Sequence, residues 1–237
     1  MASSNEHRMV FDIRGKRRHV VKVVYAILAV LMGASLFLVV GPVNIGSLLG
    51  NNNSGENNLA SEYEQRAEKI EVQLQKSPGD EELLAQLTNT RMNAGQQSFV
   101  AGPNGEPLPT VEVRTQYQKA SAAWSEYLEA TQEPATSLAQ RMASVLFSLA
   151  QYSRGYPEAQ SNLESAVAAQ RIYAEGRPTL NSLSTLALYE LYTGDFKAAE
   201  ATNKEAEAKG SSKFQREQVG NQFDSTKKGA EEFQTGL

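Results

Sequence analysis

The side chains that most often do chemistry are few in this chain and poorly placed for it. Both histidines, His7 and His19, fall within the first 22 residues, and there is no cysteine. Residues 59–237 therefore offer no imidazole base, no histidine-ligated metal, no thiolate nucleophile and no disulfide. Four aspartates occur, Asp12, Asp80, Asp195 and Asp224. Asp80 and Asp195 stand just ahead of helical stretches, where a carboxylate accepts a hydrogen bond from an orphan N–H of the first turn. Capping accounts for them without catalysis. No Walker loop, EF-hand spacing, H-E-x-x-H or G-x-S-x-G pattern is present. Glu200, Glu205 and Glu207 read as a solvated helix face, and a glutamate pair of the kind that cleaves glycosides has no spacing signature to find. The expectation is a protein that is not an enzyme, with no catalytic residue, cofactor or metal.

The elements that carry these residues divide the chain. Residues 1–22 hold six Lys/Arg against Glu6 and Asp12, a charge of +4, whereas the whole chain carries −4, leaving −8 on the rest. This basic head abuts "VVYAILAVLMGASLFLVV", residues 23–40, without a single charge. Eighteen helical residues rise roughly 27 Å, close to the ~30 Å hydrocarbon core of a bilayer. Lys22 can snorkel, and Tyr25 sits at the interfacial level. The apolar run is longer than a signal-peptide core, and no A-x-A site follows it. It reads as an uncleaved transmembrane anchor. The cluster "RGKRRH" retains the N-terminus in the cytoplasm by the positive-inside rule. It lacks the interleaved aromatics that stack on bases, so nucleic acid is not an expected partner. Residues 41–58, rich in Gly, Asn and Ser, form a flexible linker.

From residue 59 to 237 the pattern is helical. Ala, Glu, Gln and Leu dominate, and alternating β-branched runs are scarce, so almost no sheet is expected. Breakers recur at short intervals: Pro78-Gly79, Gly95, Pro134, Gly155, Pro178 and Gly194-Asp195. Residues 96–109, with three prolines and two glycines, read as a loop. Between the breakers apolar residues step by three or four, as in Val113, Tyr117, Ala120, Trp124 and Leu128.

Leu183, Leu186-Ala187, Gly194, Phe196, Ala199 and Ala206 follow one another as a large residue, a large-small pair, a turn glycine, an aromatic and two small residues. Leu84, Leu87, Gly95, Ala120, Trp124 and Pro134 repeat the order around an insertion, and Gly155, Ala166, Tyr173 and Pro178 mark a looser copy. This pattern resembles the tetratricopeptide repeat family over about residues 80–209, a helix–turn–helix unit of about 34 residues. The resemblance implies an all-α fold: an α-solenoid of about three hairpins following the transmembrane helix, covered by residues 59–77 at one end and capped by 211–235 at the other. It also implies a concave face built by the first helix of each hairpin. Asn89, Asn93, Asn181, Ser184 and Leu188 would line it as a neutral, hydrogen-bonding groove for an extended or helical peptide. A carboxylate clamp of the family's type lacks its basic residues at the matching positions, where Ala85 and Thr185 stand.

The whole reads as an adaptor in a bacterial plasma membrane. One span holds it, its repeat domain lies outside the cytoplasm, and that domain binds a protein partner in a translocon-ancillary or envelope-assembly role. The alternative is a homo-oligomeric spacer of the cell envelope, since self-association suits the same architecture. On this topology, external protease added to sealed spheroplasts degrades residues 59–237 while the basic head survives. Protection of the body until lysis would reverse the orientation.

Overall fold

The computed structural model describes residues 55–235, with side chains over 59–231. The basic head, the expected span at 23–40 and most of the linker lie outside the described residues. Among those described, no helix is long and apolar enough to cross a membrane.

Eight α-helices carry the described chain: α1 Gly55–Leu74, α2 Glu81–Gln97, α3 Val111–Ala130, α4 Thr136–Gln151, α5 Tyr156–Gly176, α6 Leu180–Tyr192, α7 Phe196–Ala208 and α8 Lys213–Thr235. The fold is all-α apart from a two-stranded antiparallel ribbon, β1 Val100–Ala101 with β2 Pro107–Leu108. That ribbon corrects the expectation of a plain loop at 96–109. Gly102 N–H donates to Glu106 O at 2.7 Å, which closes a tight turn and sets Val100 opposite Leu108. Helix α1 also begins at Gly55, inside the stretch assigned to the linker.

Each helix packs chiefly on its neighbours in sequence, in the pairs α2–α3, α4–α5 and α6–α7, with α1 on α2 and α8 on both α6 and α7. The starts are fixed by side chains. Asp80 Oδ1 accepts from Leu83 N–H at 3.1 Å and Asp195 Oδ1 from Ala198 N–H at 3.0 Å, the two caps expected from sequence. Thr179 and Ser182 form a reciprocal capping box at α6. The turn before α7 needs Gly194, whose φ of +82° suits a residue without Cβ.

The largest core cluster runs from α2 to α5 through Leu84, Val113, Trp124, Met142 and Leu146. A second joins α5 to α8 through Val167, Leu183, Ala206 and Val219, and a third gathers Leu191, Ala199, Phe223 and Ala230. Ala199 and Ala206 are fully buried, the small residues at close helix contacts that the pattern required. Gly95 serves a different purpose from the expected stop. It lies inside α2, and a Cβ built there would meet the Tyr117 ring at 2.5 Å. The missing methyl lets α3 close on α2.

A charged network clasps α1. Arg91, 3% exposed, donates to Glu71 at 2.6 Å and to Gln116 Oε1 at 3.0 Å. Gln116 Nε2 in turn donates to Glu112 at 2.7 Å and Glu64 at 3.1 Å. Arg91 Nε is buried without a partner among the described residues. The apolar half of the same contact is Ala67 and Ile70 against Leu87 and Ala123.

These packing roles make graded predictions. Gly95→Ala overpacks the Tyr117 contact and should cost about 1–3 kcal/mol, whereas Asp195→Ala removes one exposed cap and should cost about 0.5–2 kcal/mol. Urea unfolding followed by circular dichroism measures both. A Gly95→Ala protein as stable as wild type would mean that α2 and α3 are not held at that point.

Candidate functional site

Three clefts open along the first helices of the hairpins, and the residues expected to line one groove fall into two of them. Asn89 and Asn93, one turn apart on α2, are half-buried. Asn89 Nδ2 donates to Ala85 O at 3.1 Å, which turns its carbonyl outward. Both carbonyl oxygens then meet a residue that sequence reasoning passed over. Arg141, on α4, donates through Nη1 to Asn89 Oδ1 and through Nη2 to Asn93 Oδ1 at 2.6 Å. Arg141 is exposed and makes no ion pair among the described residues. A guanidinium has five N–H donors, and two are used here, so three remain for a ligand. The groove at this end is therefore cationic and not neutral as expected. With Gln96, Tyr117, Ser144 and Ser148, Arg141 and Asn93 line a cleft of about 260 Å³. Burial pushes the Tyr117 hydroxyl above its usual range, as does nearby Tyr152, with Arg141 opposing, so it stays a neutral donor beside the guanidinium.

Asn181, Ser184 and Leu188 lie elsewhere, in a cleft of about 280 Å³ between α6 and α8. Asn181 is exposed. Ser184 spends its hydroxyl on Leu180 O at 2.7 Å, and Leu188 packs in part against the Ala187–Leu191–Phe223 cluster. Gln215, Gln218 and Gln222 of α8 face them. The lining at this end carries no charge. The two predicted groups do not share a cleft.

A third cleft, mostly apolar and about 490 Å³, has no charged side chain in its lining. Phe147 and Tyr192 form one wall, Tyr156 and Leu163 of α5 another, and Thr226, Gly229 and Ala230 of α8 a third. Tyr156 and Tyr192 remain 46% and 41% exposed. Phe147 stacks on Tyr189 with centroids 4.6 Å apart and planes 4° from parallel, and meets Tyr192 edge-on at 5.4 Å. Burial raises the Tyr189 hydroxyl above its usual range, with Ser144 opposing. The aromatic ladder thus ties α4 to α6 across the floor of the groove. Among the described residues no group of His, Cys, Asp or Glu has the arrangement to hold a metal ion.

The signal that would have found Arg141 is its place on the first helix of the next hairpin. Spacing within the asparagines' own helix does not point to it, because the partner arrives from the next hairpin. Phe147, Tyr189 and Tyr192 gave no signal, because their spacing is equally that of a packed core.

The start of α5, which carries Tyr156, is pinned by Glu158. Its Oε1 accepts from Arg114 Nη2 at 2.7 Å and its Oε2 from Arg154 N–H at 3.2 Å. The Arg114 hydrogen bond, then that of Arg154, hold this carboxyl below its usual range. A depressed carboxylate contributes stability that is fully present above its unfolded pKa and is lost as pH falls through the folded one. Acidification from neutral to below the ordinary carboxylate range should therefore destabilise the wild type more than Glu158→Gln. Melting curves over that range test this, and parallel curves would show that the pair contributes nothing; being exposed, it contributes little in magnitude.

Comparison with protein-family models, with curated proteins and with solved structures gives no match to this chain.

Proposed function

We propose that this chain is a membrane-anchored adaptor. Its helical domain is an α-solenoid of tetratricopeptide-like hairpins that binds a segment of another protein outside the cytoplasm, close to a bacterial plasma membrane. The observation that carries the reading is Arg141. An exposed guanidinium, steered by two asparagines from the preceding hairpin and left with free donors, is a built recognition point. The pairing of helices in sequence supports the repeat reading, and the uncharged run at 23–40 with its basic flank supports the anchor and its orientation. The helix-rich scaffold presents clefts with hydrogen-bonding and apolar walls, and its one buried carboxylate among the described residues, Glu190, is paired with Arg171, which suits binding better than catalysis.

A specific surface favours a second reading, self-association as an envelope spacer. Val100 and Leu108 face each other across the ribbon at 51% and 40% exposure, and Val111 just beyond is 79% exposed. One experiment separates the two. A photo-cross-linking amino acid placed at Asn93 in full-length protein, activated in intact membranes, should yield an adduct with a different protein, and Arg141→Glu should abolish it. An adduct of twice the chain mass, insensitive to Arg141→Glu and lost with Val100→Asp plus Leu108→Asp, would favour the spacer and overturn the adaptor.

A further inference from the structure

The cationic cleft and the apolar cleft flank one exposed ridge, the face of α4 that carries Arg141, Ser144, Phe147 and Gln151. Arg141 and Ser144 belong to the first cleft, Phe147 and Gln151 to the second. The two therefore lie within reach of one chain crossing the ridge, and they differ sharply in chemistry. The first offers a guanidinium with unused donors and no ion pair. The second offers aromatic walls, the amides of Gln151 and Gln160, and no charge.

We propose that the groove reads two features of one peptide segment together: an Asp or Glu side chain at Arg141, and an uncharged aliphatic or aromatic side chain in the Phe147–Tyr156–Tyr192 cleft. This rests on the adaptor reading and specifies what the partner must present. The acid is required because a polar cleft with one unpaired cation is satisfied by a carboxylate, which takes two parallel N–H donors in plane. The apolar anchor is required because the uncharged, aromatic-walled cleft, of about 490 Å³, falls within the size range of pockets that bury a ligand group. The geometry fixes their separation. From Arg141 to Phe147 the helix climbs roughly 9 Å, and to Gln151 roughly 15 Å. An extended peptide advances about 3.3 Å per residue, so acid and anchor stand about three or four residues apart. Glutamine amides at the apolar cleft can pair with the backbone of that peptide. A free carboxyl terminus offers the same two oxygens, and the amidated peptides below separate the two sources.

The test is fluorescence anisotropy of the full-length protein in detergent with labelled, C-terminally amidated peptides. Each holds one Glu and one Leu in a Ser/Ala/Gln background, separated by one to eight positions. Affinity should peak at a separation of three or four and be at least tenfold weaker for peptides lacking either residue. Arg141→Gln should erase the advantage of Glu and keep that of Leu. Gly229→Trp should do the converse, because no atom lies within 4 Å of a Cβ built at Gly229 and the indole would fill the cleft. The separation series uses wild-type protein, so it decides the matter even if a variant fails to fold by circular dichroism. Binding that is indifferent to separation, or that improves only when the carboxyl terminus is left free, overturns the two-feature rule. The adaptor reading then still stands on the cross-link at Asn93. No binding by any member up to millimolar peptide overturns the rule, and together with the absence of an Asn93 adduct it overturns the adaptor as well.

Discussion

The parallel stack of Phe147 on Tyr189 is the contact on which the groove depends. The second and third hairpins are joined mainly through α5 and α6. Between α4 and α6 the ring contacts are those of Phe147 with Tyr189, 4.6 Å apart, and with Tyr192. A stacked pair contributes about 0.5–1.5 kcal/mol beyond its buried area. Here its geometric effect matters more than its energy. It holds Phe147, a wall of the apolar cleft, against α6. Tyr192 completes the ladder edge-on and so becomes a wall instead of part of the core.

Much of the fold was legible because local chemistry and global packing agree. Asp80 and Asp195 announced their helices, Gly194 its turn, and Ala199 and Ala206 their close contacts. The two misreadings have different causes. Gly95 looked like a stop because glycine is a poor helix former. It is retained within α2 because the Tyr117 ring, 22 positions away in the chain, occupies the space of its side chain. The ribbon at 100–108 was hidden by prolines, which an exposed edge tolerates. For Gly95 the deciding neighbour is remote in sequence, and period and propensity are blind to it, whereas the ribbon is local and its strands, two residues each, are too short to show a period.

The site divided along the same line. Asn89 and Asn93 were recognisable as a pair at one-turn spacing, yet what they do is set by Arg141, which comes from the next hairpin. Asn181, Ser184 and Leu188 were recognisable as one helix face, yet α8 determines that they form a separate neutral cleft. Sequence period places a side chain on a face of its own helix. It does not say which other helix that face will meet, and a binding site is made by such meetings.

The clasp on α1 has a mechanical consequence. Whatever precedes Gly55 joins the helical domain through α1, so any tension along the chain reaches the domain there first. The resisting contacts are of two kinds: the brittle, short-range pairs Arg91–Glu71 and Gln116–Glu64, and the more forgiving seam of Ala67 and Ile70 on Leu87. Hydrogen bonds yield over a fraction of an ångström, whereas apolar surface slides. The first kind sets the force at which α1 starts to move and the second the distance over which it lets go. Because Arg91 and Gln116 are buried in the body of the first hairpin, load is passed into α2 and α3 together. The Arg141 cleft, which borrows Asn93 from α2 and Tyr117 from α3, lies directly in that path.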